Sequence, residues 1–173
     1  MHKAEGFGHI KKFFDMCNTR DYILIVMRTS CRFAMAVHVL TVLAHKEGDR
    51  VTSSYLADSV NTNPVIIRRL LSTLQKAKLV DTRKGAGSGS RLERSPSRIS
   101  LAEVYNAVEE EDAFTMPRQK PNEKCPVGQC IQEELERVFT SAESAMIEQL
   151  GRTTIADVIQ SVRQKCEGGK KGK

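Results

Sequence analysis

Residues 62–96 read TNPVIIRRLLSTLQKAKLVDTRKGAGSGSRLERSP, and their punctuation decides the fold. Asn63 is a good helix N-cap, and Pro64 suits the first helical position, where a missing N–H costs nothing. Along PVIIRRLLSTLQKAK, Ile67, Leu70, Leu71 and Leu74 recur at helical spacing and mark a core face. Arg68, Arg69, Gln75, Lys76 and Lys78 fall elsewhere on the helix. LVDTR and RLERS then flank KGAGSGS, a loop with three glycines, and read as a β-hairpin closed by Pro96. A phosphate-cradling P-loop would need Gly-Lys-Ser/Thr at the loop's end and a helix after it; here a strand pattern follows.

Upstream, SCRFAMAVHVLTVLAHK (30–46) sets Phe33, Ala36, Val37, Leu40, Leu43 and Ala44 at helical spacing, with Thr29 or Ser30 as cap and Gly48 as stop. Val51-Thr52-Ser53 supplies an extended residue and a capping hydroxyl for the short helix SYLADSV, which buries Leu56, Ala57 and Val60. Downstream, Ser100-Leu-Ala-Glu103 fits the capping box and opens the helix LAEVYNAVE. The polar run 109–124, with two prolines and four consecutive acids, reads as a linker. From Val127 to about Leu150 a stripe of Ile131, Leu135, Val138, Ala142, Met146 and Leu150 steps by 3 and 4. A last helix, 154–164, buries Ile155, Val158, Ile159 and Val162 ahead of the basic EGGKKGK.

The expected organisation is therefore an N-terminal extension (1–26), either an arm or an upstream start, ahead of Met27-Arg28-Thr29-Ser30. A winged-helix domain (27–109), a linker (110–124), dimerisation helices (125–165) and a flexible basic tail (166–173) follow. The fold class is mainly α with a small β-hairpin: a winged helix-turn-helix plus a long C-terminal dimerisation helix.

Charge divides the chain in the same places. Residues 27–100 hold 13 Lys/Arg against 5 Asp/Glu, net +8, while 101–150 hold 4 against 11, net −7. A localised basic region suits a polyanion; scattered surface charge is the plainer reading. No 18-residue apolar run is present, so no membrane partner is expected. The first 26 residues lack the pattern of a secretory signal. Five widely spaced cysteines do not make a disulfide framework and fit a reducing cytoplasm.

A helix fits the major groove of double-stranded DNA, and a glycine-tipped hairpin can reach the neighbouring backbone. The DNA-binding candidates are Thr62, Asn63, Val65, Arg68 and Arg69 on the third helix and Arg83, Lys84, Ser88, Ser90 and Arg91 on the wing. The stripe of the long helix, about 36 Å from Val127 to Leu150, exceeds what one domain of this size covers easily. Ile131, Leu135, Val138, Ala142 and Met146 are thus the candidate homodimer interface. A winged helix acting only as a protein–protein adaptor is an alternative; the paired arginines and the +8 region argue against it. No Ser/His/Asp, Cys/His or paired-carboxylate constellation assembles from the sequence, so no catalytic residue is assigned. His38 reads as packing or solvated, and His45 as a cation near a helix C-terminus.

Residues 27–109 resemble the start of the Rrf2 family of bacterial transcription regulators, and the likeness extends over nearly all of 27–165. MRTS at 27–30, the helix ending VLTVLA, and IRRLLSTLQKAKLVDTRKGAGSGSRLERSPSRISLAEVYNAVE carry it. Lys78 stands where the family usually has glycine, and Gly89-Ser90-Arg91 replaces Gly-Gly-Tyr at the wing. The resemblance implies a homodimer, built by the long helix crossing its twin, that binds a palindromic operator, and the expected action is repression.

The same resemblance raises the question of EKCPVGQC (123–130). Many members hold an iron–sulfur cluster with three cysteines in this linker, spaced roughly C-x5-7-C-x5-C; here there is only C-x4-C. No cofactor is therefore expected, and CPVG is similar to a subgroup that keeps one cysteine at the start of the dimer helix. Pro126 makes Cys125 the N-cap, where the helix dipole favours the reactive thiolate. Cys130 lies inside the helix, too far along for a direct bridge at the ~7 Å Cα limit. Cys125 and Cys130 are the candidate redox residues. An inert cap, and a metal or cluster site completed by ligands from elsewhere, are the alternatives.

Overall fold

The structure, a computed structural model, describes residues 29–46, 48–85, 87–109 and 112–168. The expected extension 1–26 lies outside these residues.

Helix α1 (Thr29–His45) runs through the centre of the body and buries Ala36, Val39, Leu40, Leu43 and Ala44. Val39 takes the fully buried place that the periodicity gave to Val37, which packs half-buried at the edge. Thr29 and Ser30 fall within the helix rather than ahead of it. His38 points across to α2 and pairs with Ser59 Oγ at 3.1 Å, and its partial burial lowers its pKa.

Helix α2 (Ser53–Val60) starts at Thr52, whose hydroxyl accepts the Tyr55 N–H at 3.2 Å. It ends at Asn61 in the left-handed region (φ 57), a conformation asparagine tolerates. Helix α3 (Pro64–Lys76) follows after three residues and buries the expected Ile67, Leu70, Leu71 and Leu74. Its exit explains one departure from the family pattern. Lys78 has φ 57, and Leu79 N–H returns to Leu74 O at 3.0 Å. This is a left-handed helix stop, where glycine is the unstrained choice.

The hairpin pairs β1 (Val80–Arg83) with β2 (Gly89–Leu92), Asp81 opposite Arg91 and Thr82 opposite Ser90. Val51 adds a bridge to Ser90 through two backbone bonds of 2.8 and 2.9 Å, which ties the wing to the segment between α1 and α2.

A 3-10 turn (Pro96–Arg98) leads to α4 (Leu101–Val108), opened by the Ser100/Glu103 capping box. Helix α5 (Pro126–Gly151) has 26 residues, about 39 Å, and none of them is fully buried. Helix α6 (Ile155–Gly168) then turns back to the body. Thr154 and Asp157 cap it reciprocally, and Ile155 N–H donates to Ile99 O at 2.9 Å. Ile155 and Ile159 complete the core beside α1, while Val162 remains 45% exposed. The stretch 125–165 is thus two things: a projecting α5, and an α6 that belongs to the body. Residues 166–168, expected in the flexible tail, are the last turn of α6.

The linker folds along α5 rather than hanging free. Phe114 stacks on Phe139 at 5.1 Å between centroids, and Ala113 N–H donates to Glu143 Oε1 at 3.1 Å. Among the described residues no helix is long and apolar enough to cross a membrane.

Candidate nucleic-acid interface

Local capping sets the geometry of the helix-turn-helix. Thr62 N–H bonds Ala57 O at 2.9 Å, which closes the turn, and Asn63 Oδ1 accepts the Val65 N–H at 2.8 Å. Four buried aliphatic side chains then hold the inner face of α3 on the core. The outer face presents Arg68 and Arg69, both exposed, with Val65 45% exposed one turn earlier. Thr62 is half-buried and Asn63 is committed to its cap. Of the five candidates at the start of α3 and just before it, the two arginines and Val65 are the ones free to meet base edges and methyl groups.

The wing divides its candidates differently. Arg83, Lys84 and Ser88 are exposed around the tip. Ser90 faces inward, 1% exposed, with its hydroxyl 2.9 Å from Thr82 Oγ1, so it does not offer a side chain to DNA. Arg91 is held at the wing's root, its Nε 3.4 Å from Asp81 Oδ2.

Sequence reasoning missed the residue that organises this root. Arg50 is largely buried and donates to Asp81 O at 3.2 Å, Gly89 O at 3.1 Å and the Asp81 carboxylate. It therefore grips both strands at once. Gly89 sits so close that a Cβ there would lie 3.0 Å from both Arg50 Cβ and Val51 O, at φ +141. The Arg50 guanidinium, bonded to the Asp81 carboxylate, holds that carboxyl below its usual range. Nothing in the spacing of residues 50, 81 and 89 signals the arrangement. Tyr55, 48% exposed on α2 with Lys46 Nζ 5.0 Å above its ring, was also not singled out.

The two candidate redox cysteines lie at the start of α5. Cys125 caps α5 with extended backbone (φ −91, ψ 127) and no side-chain capping bond, and it is exposed. Cys130 is also exposed, inside the helix. Among the described residues no three Cys, His, Asp or Glu side chains gather as metal ligands.

A capped helix-turn-helix with an arginine-bearing second helix, a clamped glycine-tipped hairpin and a long projecting helix defines a winged-helix DNA-binding protein. The family model described as Rrf2, an iron-dependent transcriptional regulator, matches residues 29–161. YwnA of Bacillus subtilis (strain 168), named as an HTH-type transcriptional regulator, is 41% identical over 128 residues, which cover 74% of this chain and 94% of YwnA. A crystal structure titled as that of a DNA-binding protein is 40% identical, with a TM-score of 0.60, covering 74% of this chain and 98% of its own. The structure of CymR, the global cysteine regulator of B. subtilis, shares the fold at 19% identity and TM-score 0.57, over 75% of this chain and 94% of CymR. The chain belongs to the Rrf2 family. It is a DNA-binding transcriptional regulator and not an enzyme.

Proposed function

We propose that two copies of the chain pair along α5 and bind a palindromic operator in the cytoplasm as a repressor, each copy placing α3 in a major groove. The supporting observation is α5 itself. It is 26 residues long and none is fully buried, yet Ile131, Leu135, Val138, Ala142 and Met146 line one side of it. Val138 is 43% exposed, and Ile131, Leu135 and Met146 are half-buried. A second copy would cover that stripe and would bring two α3 helices to half-sites related by a twofold axis. Occupancy of a promoter by such a dimer excludes polymerase, which is repression.

In this reading Arg68, Arg69 and Val65 read bases, and Arg83, Lys84 and Ser88 meet phosphates. Cys125, exposed where the linker joins α5, is the residue through which a thiol-reactive signal would act. Selection by the full-length chain from a pool of random duplexes tests the proposal. Enrichment of an inverted repeat with half-sites about 10 base pairs apart supports it. A pool that stays random, from a chain that is folded, favours the adaptor reading. Stoichiometric iron and acid-labile sulfide in anaerobically purified protein would favour a cluster completed by ligands from elsewhere.

A further inference from the structure

We propose that Asp81 shapes specificity by holding two arginines back: it pairs with Arg50 and Arg91 at the root of the wing, so that neither arginine is spent on phosphates. This rests on the reading of the wing as a phosphate-contacting element. A winged protein that must tell its operator from bulk DNA gains nothing from extra phosphate contacts, because these strengthen every sequence alike.

The geometry shows how one carboxylate governs two arginines. Asp81 Oδ2 receives Arg50 Nη2 from one side and Arg91 Nε, at 3.4 Å, from the other. Arg50 is fixed beyond this pair, because its Nη1 also serves the backbone oxygens of Asp81 and Gly89. Its side chain is 16% exposed, against 45% for Arg91. Among the described residues Arg91 has no second anchor comparable to these carbonyls, and it lies directly across the hairpin from Asp81. Removal of the Asp81 charge would therefore leave Arg50 in place, on its carbonyl bonds, and release Arg91. The released guanidinium stands on a hairpin whose tip already carries Arg83 and Lys84, with a stem long enough to turn toward a duplex laid on the wing. Asp81 is a positioning residue in this scheme and touches no DNA.

Asp81→Asn keeps the size of the side chain and removes its charge, so it is the informative variant. The measurement is the affinity of the full-length chain for a random-sequence duplex of about 30 base pairs across a salt series, together with Arg91→Gln and the double variant. Each phosphate contact contributes about 0.9 to the slope of log K against log salt. Asp81→Asn is expected to steepen the slope by about one contact and to tighten random-duplex binding several-fold at low salt. Arg91→Gln alone is expected to leave the slope unchanged, and the double variant to return to the wild-type slope. A loss of about one contact in Arg91→Gln alone would show that Arg91 already sits on phosphate, which overturns the proposal. So would an unchanged slope in Asp81→Asn. If the substitution merely loosened the wing, the slope would fall in both Asp81 variants whatever stands at 91, and that also overturns it. Failure of the functional reading itself looks different: the wild-type chain would then show no salt-dependent binding to any duplex, and the wing would have no phosphate contacts to regulate.

Discussion

The carbonyl oxygen of Asn122 lies 2.2 Å from the point where a Cβ on Gly128 would stand. The end of the linker crosses the first turn of α5 at that spot, where Asn122 O also accepts the Cys125 N–H at 3.0 Å. The glycine in EKCPVGQC is thus a crossing point.

Gly128→Ala forces backbone apart, since no flexible side chain can give way there. Overpacking of this kind costs about 1–3 kcal/mol. The linker is the more exposed partner and is expected to yield, peeling from the helix start. Limited proteolysis within 112–124 should become faster, with the helix content of the chain unchanged by circular dichroism. An unaltered digestion pattern would show that the crossing has room to spare.

Lys78→Gly should stabilise the protein. Lys78 carries a side chain at φ 57, a strain of about 1–2 kcal/mol that glycine escapes, less about 0.5–1 kcal/mol of glycine's extra entropy loss. A net gain of about 1 kcal/mol corresponds to a rise of about 2–4 °C in Tm for a chain of this size. Differential scanning calorimetry reads it; a lower Tm would mean that Lys78 makes compensating interactions.

Much of this was legible because it is local. Asn63-Pro64, Ser100/Glu103 and the glycines of KGAGSGS each act within a few residues, and the helices and hairpin lie where those signals place them. The stop after α3 could be located from the family pattern, though only the left-handed φ shows why glycine is usual at Lys78. What the sequence hid is non-local. Ser90 turns inward because Val51 pairs with it from 39 residues away, and Arg50 reaches two strands that no period connects to it. The burial of Ile155 and Ile159 was legible, but their place beside α1 was not, because an amphipathic helix does not name the face that receives it.

The arginines of α3 and the cations of the wing should fail in different ways. Arg68→Ala or Arg69→Ala is expected to cost about 1–3 kcal/mol on a selected duplex and to relax base preference in at least one case. Lys84→Ala should instead weaken all duplexes alike and reduce the salt slope by about one unit. Titrations against selected and random duplexes separate the two patterns. Equal losses on both duplexes for all three variants would remove the groove assignment.

Cys125 should be the faster of the two thiols at the start of α5. It is exposed at the helix N-terminus, while Cys130 is inside the helix. Competitive alkylation followed by mass spectrometry ranks them, and equal rates would remove the argument from the helix terminus. Oxidation is expected to proceed through a Cys125 sulfenate to a mixed or inter-subunit disulfide.

Ile131→Asp with Leu135→Asp would place two unpaired charges in the proposed seam on α5. Sedimentation velocity is expected to show monomers or unfolded chain. A folded, fully dimeric double variant would move the interface to another surface.

The central claim is that a twofold pair of chains presents two α3 helices to one duplex. Hydroxyl-radical footprinting of the full-length chain on its selected duplex tests it most directly. The expected result is two protected patches related by a dyad and centred about one helical turn apart, about 10 base pairs, both lost together in the α5 double variant. A single protected patch without a dyad, formed by one chain per duplex, would contradict it.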